Sequence, residues 1–434
     1  MKRFVLLSAI ALLAIGLSGC GGKDEELGNV GKDNPEAAKD IKGDLLVWGS
    51  SAGDTVNELF QKKYPNVKLI LDTPSKHEDA TIVALAAGSG APDVVELSQA
   101  HYWKFRTVDG LENLLAAPYN AVDLRKDFVD GAWKMSTTLD GKKLFGIPWR
   151  YTPYVMFYRA DIFEQNGFPS DPKEVGKYVS DPEQFFSMAM KMRSKGHYFF
   201  RSLGNMSTFT VGDTFFNSKM EYIRNTESYV KSLDYLKRAN QLQLVFSGTK
   251  EETDQAVNNG RLVAYFGGLY RVSTFQDGSK SEAYGKWKVT TTPFGQVYGQ
   301  GYGTYSIPSQ SKNKEAAWEY IKFITMGEEA LKENLKTAQI SPYRPSWNLP
   351  EFKDTKDPAF GGQNTLAFGA SIMDGMKYEP MVKADDSASD VWDEIVDEGL
   401  KKNMDSRALM QQAQEAIEKK LAAEIAEMKK FVAK

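Results

Sequence analysis

Short apolar runs alternate with amphipathic stretches along the first part of this chain, and that alternation limits the fold more than any other feature. Leu45-Leu46-Val47-Trp48 combines aliphatic, β-branched and aromatic residues, the make-up of a buried strand. Small polar residues and a helical pattern over residues 55–64 follow, and Pro65-Asn66 ends that helix. A second strand pattern at residues 67–71 comes at once, so the opening is a strand, helix, strand unit of the kind that builds a parallel sheet. The next helix carries Ile82, Val83, Leu85 and Ala86 and stops before a strand over residues 93–97. Repeated units of this sort make an α/β lobe whose ligand lies beyond the carboxyl ends of its strands, where Trp48, Ser50, Ser51 and residues 98–103 fall.

At 434 residues the chain exceeds what one hydrophobic core organises, because single cores stop growing near roughly 250–300 residues. Two lobes are therefore predicted. Pro148 and Pro153 keep residues 144–158 extended, which makes that stretch a first crossing between the lobes. Residues 161–235 read mainly as helices of the second lobe, and strand patterns recur at 262–266 and 287–292. The run Tyr298-Gly299-Gln300-Gly301-Tyr302-Gly303 reads as a return crossing, since a hinge needs a few residues that absorb a change of dihedral angle. Residues 340–345 form a third non-helical passage, and residues 313–326 and 408–431 are amphipathic helices. The expected division is 43–153 with 300–340 in one lobe and 154–299 with 341–434 in the other. Each lobe is expected to be a mainly parallel sheet flanked by helices, joined by the multi-crossing hinge.

Lys2 and Arg3 precede an apolar run at residues 4–17, the layout of an export signal and too short to span a bilayer. The run stops at Leu17-Ser18-Gly19-Cys20, which resembles the lipobox of bacterial lipoproteins and holds the only cysteine. That resemblance implies removal of residues 1–19 and lipidation of Cys20, anchoring the mature protein to the extracytoplasmic face of the cell membrane. A sole cysteine also excludes an internal disulfide. Residues 20–42 carry few large apolar side chains and read as a flexible tether. The formal charge is −3, and loss of Lys2 and Arg3 makes it more negative, which argues against a nucleic-acid partner.

Several segments, in order, resemble the family-one extracellular solute-binding proteins of ABC importers, the class that includes maltose- and arabino-oligosaccharide-binding proteins. They are LLVWGSSAG with ELFQKKYPNVKL, ALAAGSGAPDVVEL, KLFGIPWRYTPYVMFYRADIFEQNGF, NNGRLVAYFGGLYRV, PFGQVYGQGYGTYSIPSQSKNKEAAWEYIKFIT and ISPYR. This chain departs from the family pattern at Tyr158-Arg159, where the family usually has Asn after the tyrosine, and at Leu269-Tyr270, where it usually has Trp. The resemblance implies a two-lobed, type II periplasmic-binding-protein-like fold. It also implies a monomeric receptor without a cofactor that delivers a carbohydrate to the transmembrane subunits of a permease.

A sugar presents hydroxyl groups on its rim and a C–H face, so its receptor needs flat aromatic platforms beside fixed donors and acceptors. The crossings and strand ends offer Trp48, Tyr102, Trp149, Tyr151, Tyr154, Tyr270 and Tyr302 as platforms. Ser50, Ser51, Glu96, Gln99 and Arg344 lie beside them as polar groups. So many rings favour an oligosaccharide over a monosaccharide. Tyr158 and Trp133 are expected in the core or hinge, and Arg344 has an alternative role pairing with an acidic neighbour across the hinge.

Gly299, Gly301 and Gly303 lack the strand-before, helix-after setting and trailing lysine of a phosphate-binding loop. His77, His101 and His197 lack metal-ligand spacing, although His77 and His101 fall near the expected cleft. Glycosidases need two carboxylates about 5–9.5 Å apart. Glu96 with Asp93 or Glu78 is the available pair, but no motif arranges them and no nucleophile elbow appears. The expectation is a binding protein and not an enzyme, with a receptor for a peptide or anionic solute, or a surface carbohydrate-active enzyme, as the alternatives.

Overall fold

The computed structural model describes residues 41–49, 51–279, 281–376 and 381–432. Cys20, Ser50 and the expected export signal lie outside them. The strands are β1 (Gly43–Trp48), β2 (Val67–Leu71), β3 (Val94–Ser98), β4 (Ile147–Arg159), β5 (Ala264–Gly268), β6 (Trp287–Thr290) and β7 (Gly299–Ser306). The helices needed below are α1 (Asp54–Lys63), α2 (His77–Ala87), α3 (Pro172–Val179), α4 (Pro182–Arg193), α5 (Lys250–Asn258), α6 (Lys383–Lys401) and α7 (Ser406–Lys420).

The strands run in the order β2-β1-β3-β7-β4-β5, with β6 also pairing β4. β1 lies parallel to β2 and β3, as the opening strand, helix, strand pattern predicts. The thirteen residues of β4 make it the spine of the molecule. Its first half pairs antiparallel with β7, from Ile147↔Tyr305 to Pro153↔Gly299. From Tyr154 onward it pairs with β5, and from Met156 with β6. The two sequence-predicted crossings are thus adjacent strands of one sheet. The α/β class stands, but the sheet is mixed: the strands named in the second half pair antiparallel, and among the described residues the parallel bridges there are Tyr198↔Leu262 and Phe200↔Val245.

Local chemistry sets the helix starts. Asp171 and Asp181 accept from the backbone N–H groups of Lys173, Glu174 and Gln184, each just ahead of a proline at the first helical position of α3 or α4. Thr249 and Glu252 close a reciprocal capping box on α5. Residues 408–431, expected as one helix, instead break at Leu421 between α7 and a helix at Ala422–Val432.

Packing gathers around both halves of β4. One core includes Leu45, Phe60, Val67, Ile147, Tyr305 and Ile321. A second includes Tyr158, Phe163, Phe185, Phe266, Trp392 and Leu409. A third joins Leu97, Tyr151 and Tyr302 to Phe157, Tyr265 and Leu269, so it bridges the two ends of the crossing strand. Ile41, inside the segment expected as tether, is also buried in the first core.

Candidate binding site

The registers place the carboxyl end of β3 against the middle of the crossing pair, while β1 ends one strand further out, with Trp48 opposite Val95. Ser98 pairs with Gly303 from one side and Arg150 pairs with it from the other. Trp48, the last residue of β1, is half-buried against the bridging core. Gly49 follows at φ 124°, a conformation that favours glycine, and a β-carbon there would lie 2.3 Å from Glu96 Cβ. The bare backbone lets Glu96 pass beneath the loop. Its buried carboxylate accepts from the Ser51 N–H (3.1 Å) and the Tyr305 hydroxyl (3.5 Å), while Gly49 N–H donates to Thr73 Oγ1 (2.9 Å). Glu96 therefore shapes the exposed Ser51 turn that follows Trp48.

The loop after β3 is tied to the return crossing. Gly301 and Tyr302 N–H groups both donate to Gln99 Oε1, the latter at 3.2 Å. Gly301 sits at φ 108°, and a β-carbon there would meet Thr152 at 3.4 Å and the Tyr270 ring at 3.5 Å. Tyr270, just past the end of β5, is half-buried at this bend.

The other sequence-predicted rings do not form an open row. Tyr102, Tyr151 and Tyr302 lie in the bridging core, where the Tyr102 and Tyr302 rings meet edge to face at 4.8 Å and Ser136 Oγ reaches the Tyr302 hydroxyl at 2.6 Å. Trp149 is buried in the first core with the Arg150 guanidinium 4.7 Å over its ring. Tyr154 is buried in the second core, where burial pushes its phenol up to about 12 and its hydroxyl donates to the Asn205 carbonyl at 3.5 Å. For Trp149, Tyr151 and Tyr154 the physical reason is that β4 is covered on both faces, so every one of its side chains but Arg150 is buried. Trp48 and Tyr270 are the half-buried members of the set. Trp133 and Tyr158 are buried, as expected.

Arg344 takes its alternative role. Its guanidinium donates to the Asp374 carboxylate at 2.5 Å and to the Phe128 carbonyl at 2.5 Å, so it ties the third passage down.

The sequence reading missed a polar network beside Gln99. Ser98 Oγ donates to Glu78 Oε1 at 2.7 Å, His101 Nδ1 lies 3.4 Å from the same oxygen, and His77 Nδ1 lies 3.5 Å from Glu78 Oε2. His77 Nε2 also donates to the Glu96 carbonyl at 2.9 Å. Burial opposes the Glu78 charge, but the Ser98 hydroxyl and the two imidazoles hold its carboxyl below the usual range. The available signal was the adjacent His77-Glu78 pair and the Ser98-x-x-His101 spacing. Asp93 is spent on Leu46 N–H, Ser311 and Asn313, so each carboxylate weighed as a glycosidase group already holds protein donors.

Along the first crossing, Trp149 Nε1, Arg150 Nε and Thr152 Oγ1 are buried without a hydrogen-bond partner among the described residues. Buried polar groups ordinarily find partners. The half-buried rings at strand ends, beside a crossing strand that carries unpartnered polar atoms, suit a hydroxyl-bearing ligand. Among the described residues there is no cluster suited to a metal ion and no helix long and apolar enough to cross a membrane.

Residues 56–361 match the model of a family described as bacterial extracellular solute-binding protein. An arabinooligosaccharide-binding protein of Halalkalibacterium halodurans is 23% identical over 425 residues, covering 86% of this chain and 91% of the relative. The arabinooligosaccharide-binding protein of Bacillus subtilis is 24% identical over 318 residues, covering 69% and 71%. Among solved structures, the sugar-binding protein MalE of Xanthomonas citri superposes with a TM-score of 0.72 at 19% identity, covering 88% of this chain and 98% of that one. The fold is that of the two-lobed, type II periplasmic sugar-binding proteins.

Proposed function

This chain belongs to the bacterial extracellular solute-binding proteins, and from that premise we propose that it captures an oligosaccharide between its two lobes for an ABC importer. The carrying observation is that Trp48 and Tyr270, half-buried rings at strand ends of opposite halves, flank a glycine-bearing crossing pair. The sugar docks its C–H face on Trp48, and closure brings Tyr270 and the strand-end donors onto its rim. The reading includes lobe boundaries at 153/154, 299/300 and 340/341, and the change of partners along β4, from Gly299 at Pro153 to Gly268 at Tyr154, supports the first two.

The names of the relatives make arabino-oligosaccharides the first ligands to try. The commitment of Glu78, Asp93 and Glu96 to protein donors supports a receptor over a hydrolase. In the same reading the protein acts outside the cytoplasmic membrane, held by lipid on Cys20, and passes its cargo to a permease.

A thermal-shift screen of neutral oligosaccharides, acidic sugars and peptides tests this, because binding to the folded state alone raises the midpoint. A shift with neutral oligosaccharides, together with compaction in solution scattering, is expected. A shift with peptides only contradicts it.

A further inference from the structure

A cavity of about 600 Å³ lies apart from the Trp48 strand ends, between α5 and the helix at Val272–Gln276. Alternation along β5 creates it. Phe266 points into the second core against Phe200 and Phe209, while Tyr265 faces the other way against Phe157 and Phe275. The cavity floor is therefore aromatic: Tyr265, Phe275 and Trp287 are all buried, with Phe275 and Trp287 centroids 4.9 Å apart.

Two guanidinium groups stand on its wall. Arg201 lies 4.0 Å over the Tyr265 ring and donates to the Phe266 carbonyl at 3.4 Å, and its buried Nε has no hydrogen-bond partner among the described residues. Arg271 packs along Gly267, where a β-carbon would come within 3.2 Å of Arg271 Cγ and 3.6 Å of Tyr265 Cε1. The absence of that side chain brings Arg271 beside the ring that carries Arg201. Among the described residues neither arginine forms an ion pair with a carboxylate, whereas Lys250 on the same wall is held by Asp254 at 2.7 Å. Asn258 and Ser281 add an amide and a hydroxyl, bonded to each other at 2.9 Å.

We propose that this cavity is a second binding site, for a small carboxylated sugar. The volume lies within the range of small-molecule pockets, about 300–1,000 Å³. A carboxylate bridges Arg201 and Arg271, since guanidinium groups recognise carboxylates through paired donors. The C–H face of the ring rests on the aromatic floor, and the hydroxyls meet Asn258 and Ser281. A bare inorganic anion would leave that floor unused.

Titration calorimetry with galacturonate and galactose, on the wild type and on Arg201→Gln and Arg271→Gln, tests the site. Galacturonate is expected to bind at millimolar concentration, galactose not to bind there, and each substitution to weaken galacturonate by about tenfold or more, the loss of one charge-assisted contact. Arg271 is exposed, so its variant decides the matter even if the Arg201 variant unfolds. Retention of neutral-oligosaccharide binding in Arg201→Gln separates this site from the strand-end site, since the Arg271 guanidinium also lies 5.5 Å over the ring of Tyr270. Equal binding of galactose, unchanged galacturonate binding in the two variants, or loss of galacturonate binding in Trp48→Ala alone overturns the proposal.

Discussion

Gly303 of the return crossing lies directly under the Trp149 indole of the first crossing: a β-carbon at Gly303 would sit 2.3 Å from Nε1 and 3.0 Å from Cε2. The two strands approach this closely only because one of them carries no side chain here. Gly303→Ala is expected to push Trp149 out of its packing and to cost about 1–3 kcal/mol, the usual range for overpacking a core. Denaturant unfolding followed by tryptophan fluorescence measures it, and an unchanged midpoint would show that the indole yields freely.

Gln99 is the side chain that fastens the first-lobe loop to the crossing through Gly301 and Tyr302. Gln99→Ala removes two hydrogen bonds, each worth about 0.5–1.5 kcal/mol. Faster amide exchange at Gly301 and Tyr302 is expected, with the exchange of β1 and β2 unchanged. Hydrogen-exchange mass spectrometry of the 299–306 peptide reads this directly.

Asp385 supplies a pH dependence in the second core. It is fully buried, and its carboxylate accepts from the N–H groups of Phe215 (2.7 Å), Phe216 (3.1 Å) and Val382 (2.7 Å). Burial outweighs these donors and the nearby Arg224, pushing the carboxyl up to about 7. The folded value lies above the unfolded one, so the folded state holds the proton more tightly. This contribution to stability is complete below the ordinary aspartate range and is lost as the pH rises through about 7. Thermal midpoints taken from below about 4 to above about 7 are expected to fall across that window in the wild type, and the fall is expected to flatten in Asp385→Asn.

Arg344 makes one partly exposed ion pair with Asp374 and one bond to the Phe128 carbonyl. Exposed pairs contribute about 0–1 kcal/mol. Arg344→Gln is therefore expected to lower the unfolding free energy by about 1 kcal/mol and to leave oligosaccharide affinity unchanged. A loss of affinity in calorimetry would return Arg344 to the ligand.

What was legible in the sequence was local. Pro148 and Pro153 announced an extended first crossing, and the opening alternation announced parallel β1 and β2. That β4 serves β7 with one half and β5 with the other is a matter of long-range pairing, which no local pattern records. The fate of the rings was hidden for the same reason. Tyr102 follows β3 and Tyr151 and Tyr302 lie within the crossing strands, and all three are enclosed in the bridging core, while Trp48 at the end of β1 and Tyr270 just past β5 are only half-buried. Glu78 joined Ser98 and His101 only because α2 packs back onto the end of β3.

The most direct test of the account is calorimetric titration of neutral oligosaccharides, arabino-oligosaccharides first, into the wild type and Trp48→Ala. Stacking on one ring contributes roughly 0.5–1.5 kcal/mol beyond burial, so with the lost contact area a drop in affinity of about tenfold or more is expected, without loss of folding. If no oligosaccharide binds the wild type, or if Trp48→Ala binds as tightly, capture of a sugar at these strand ends is contradicted.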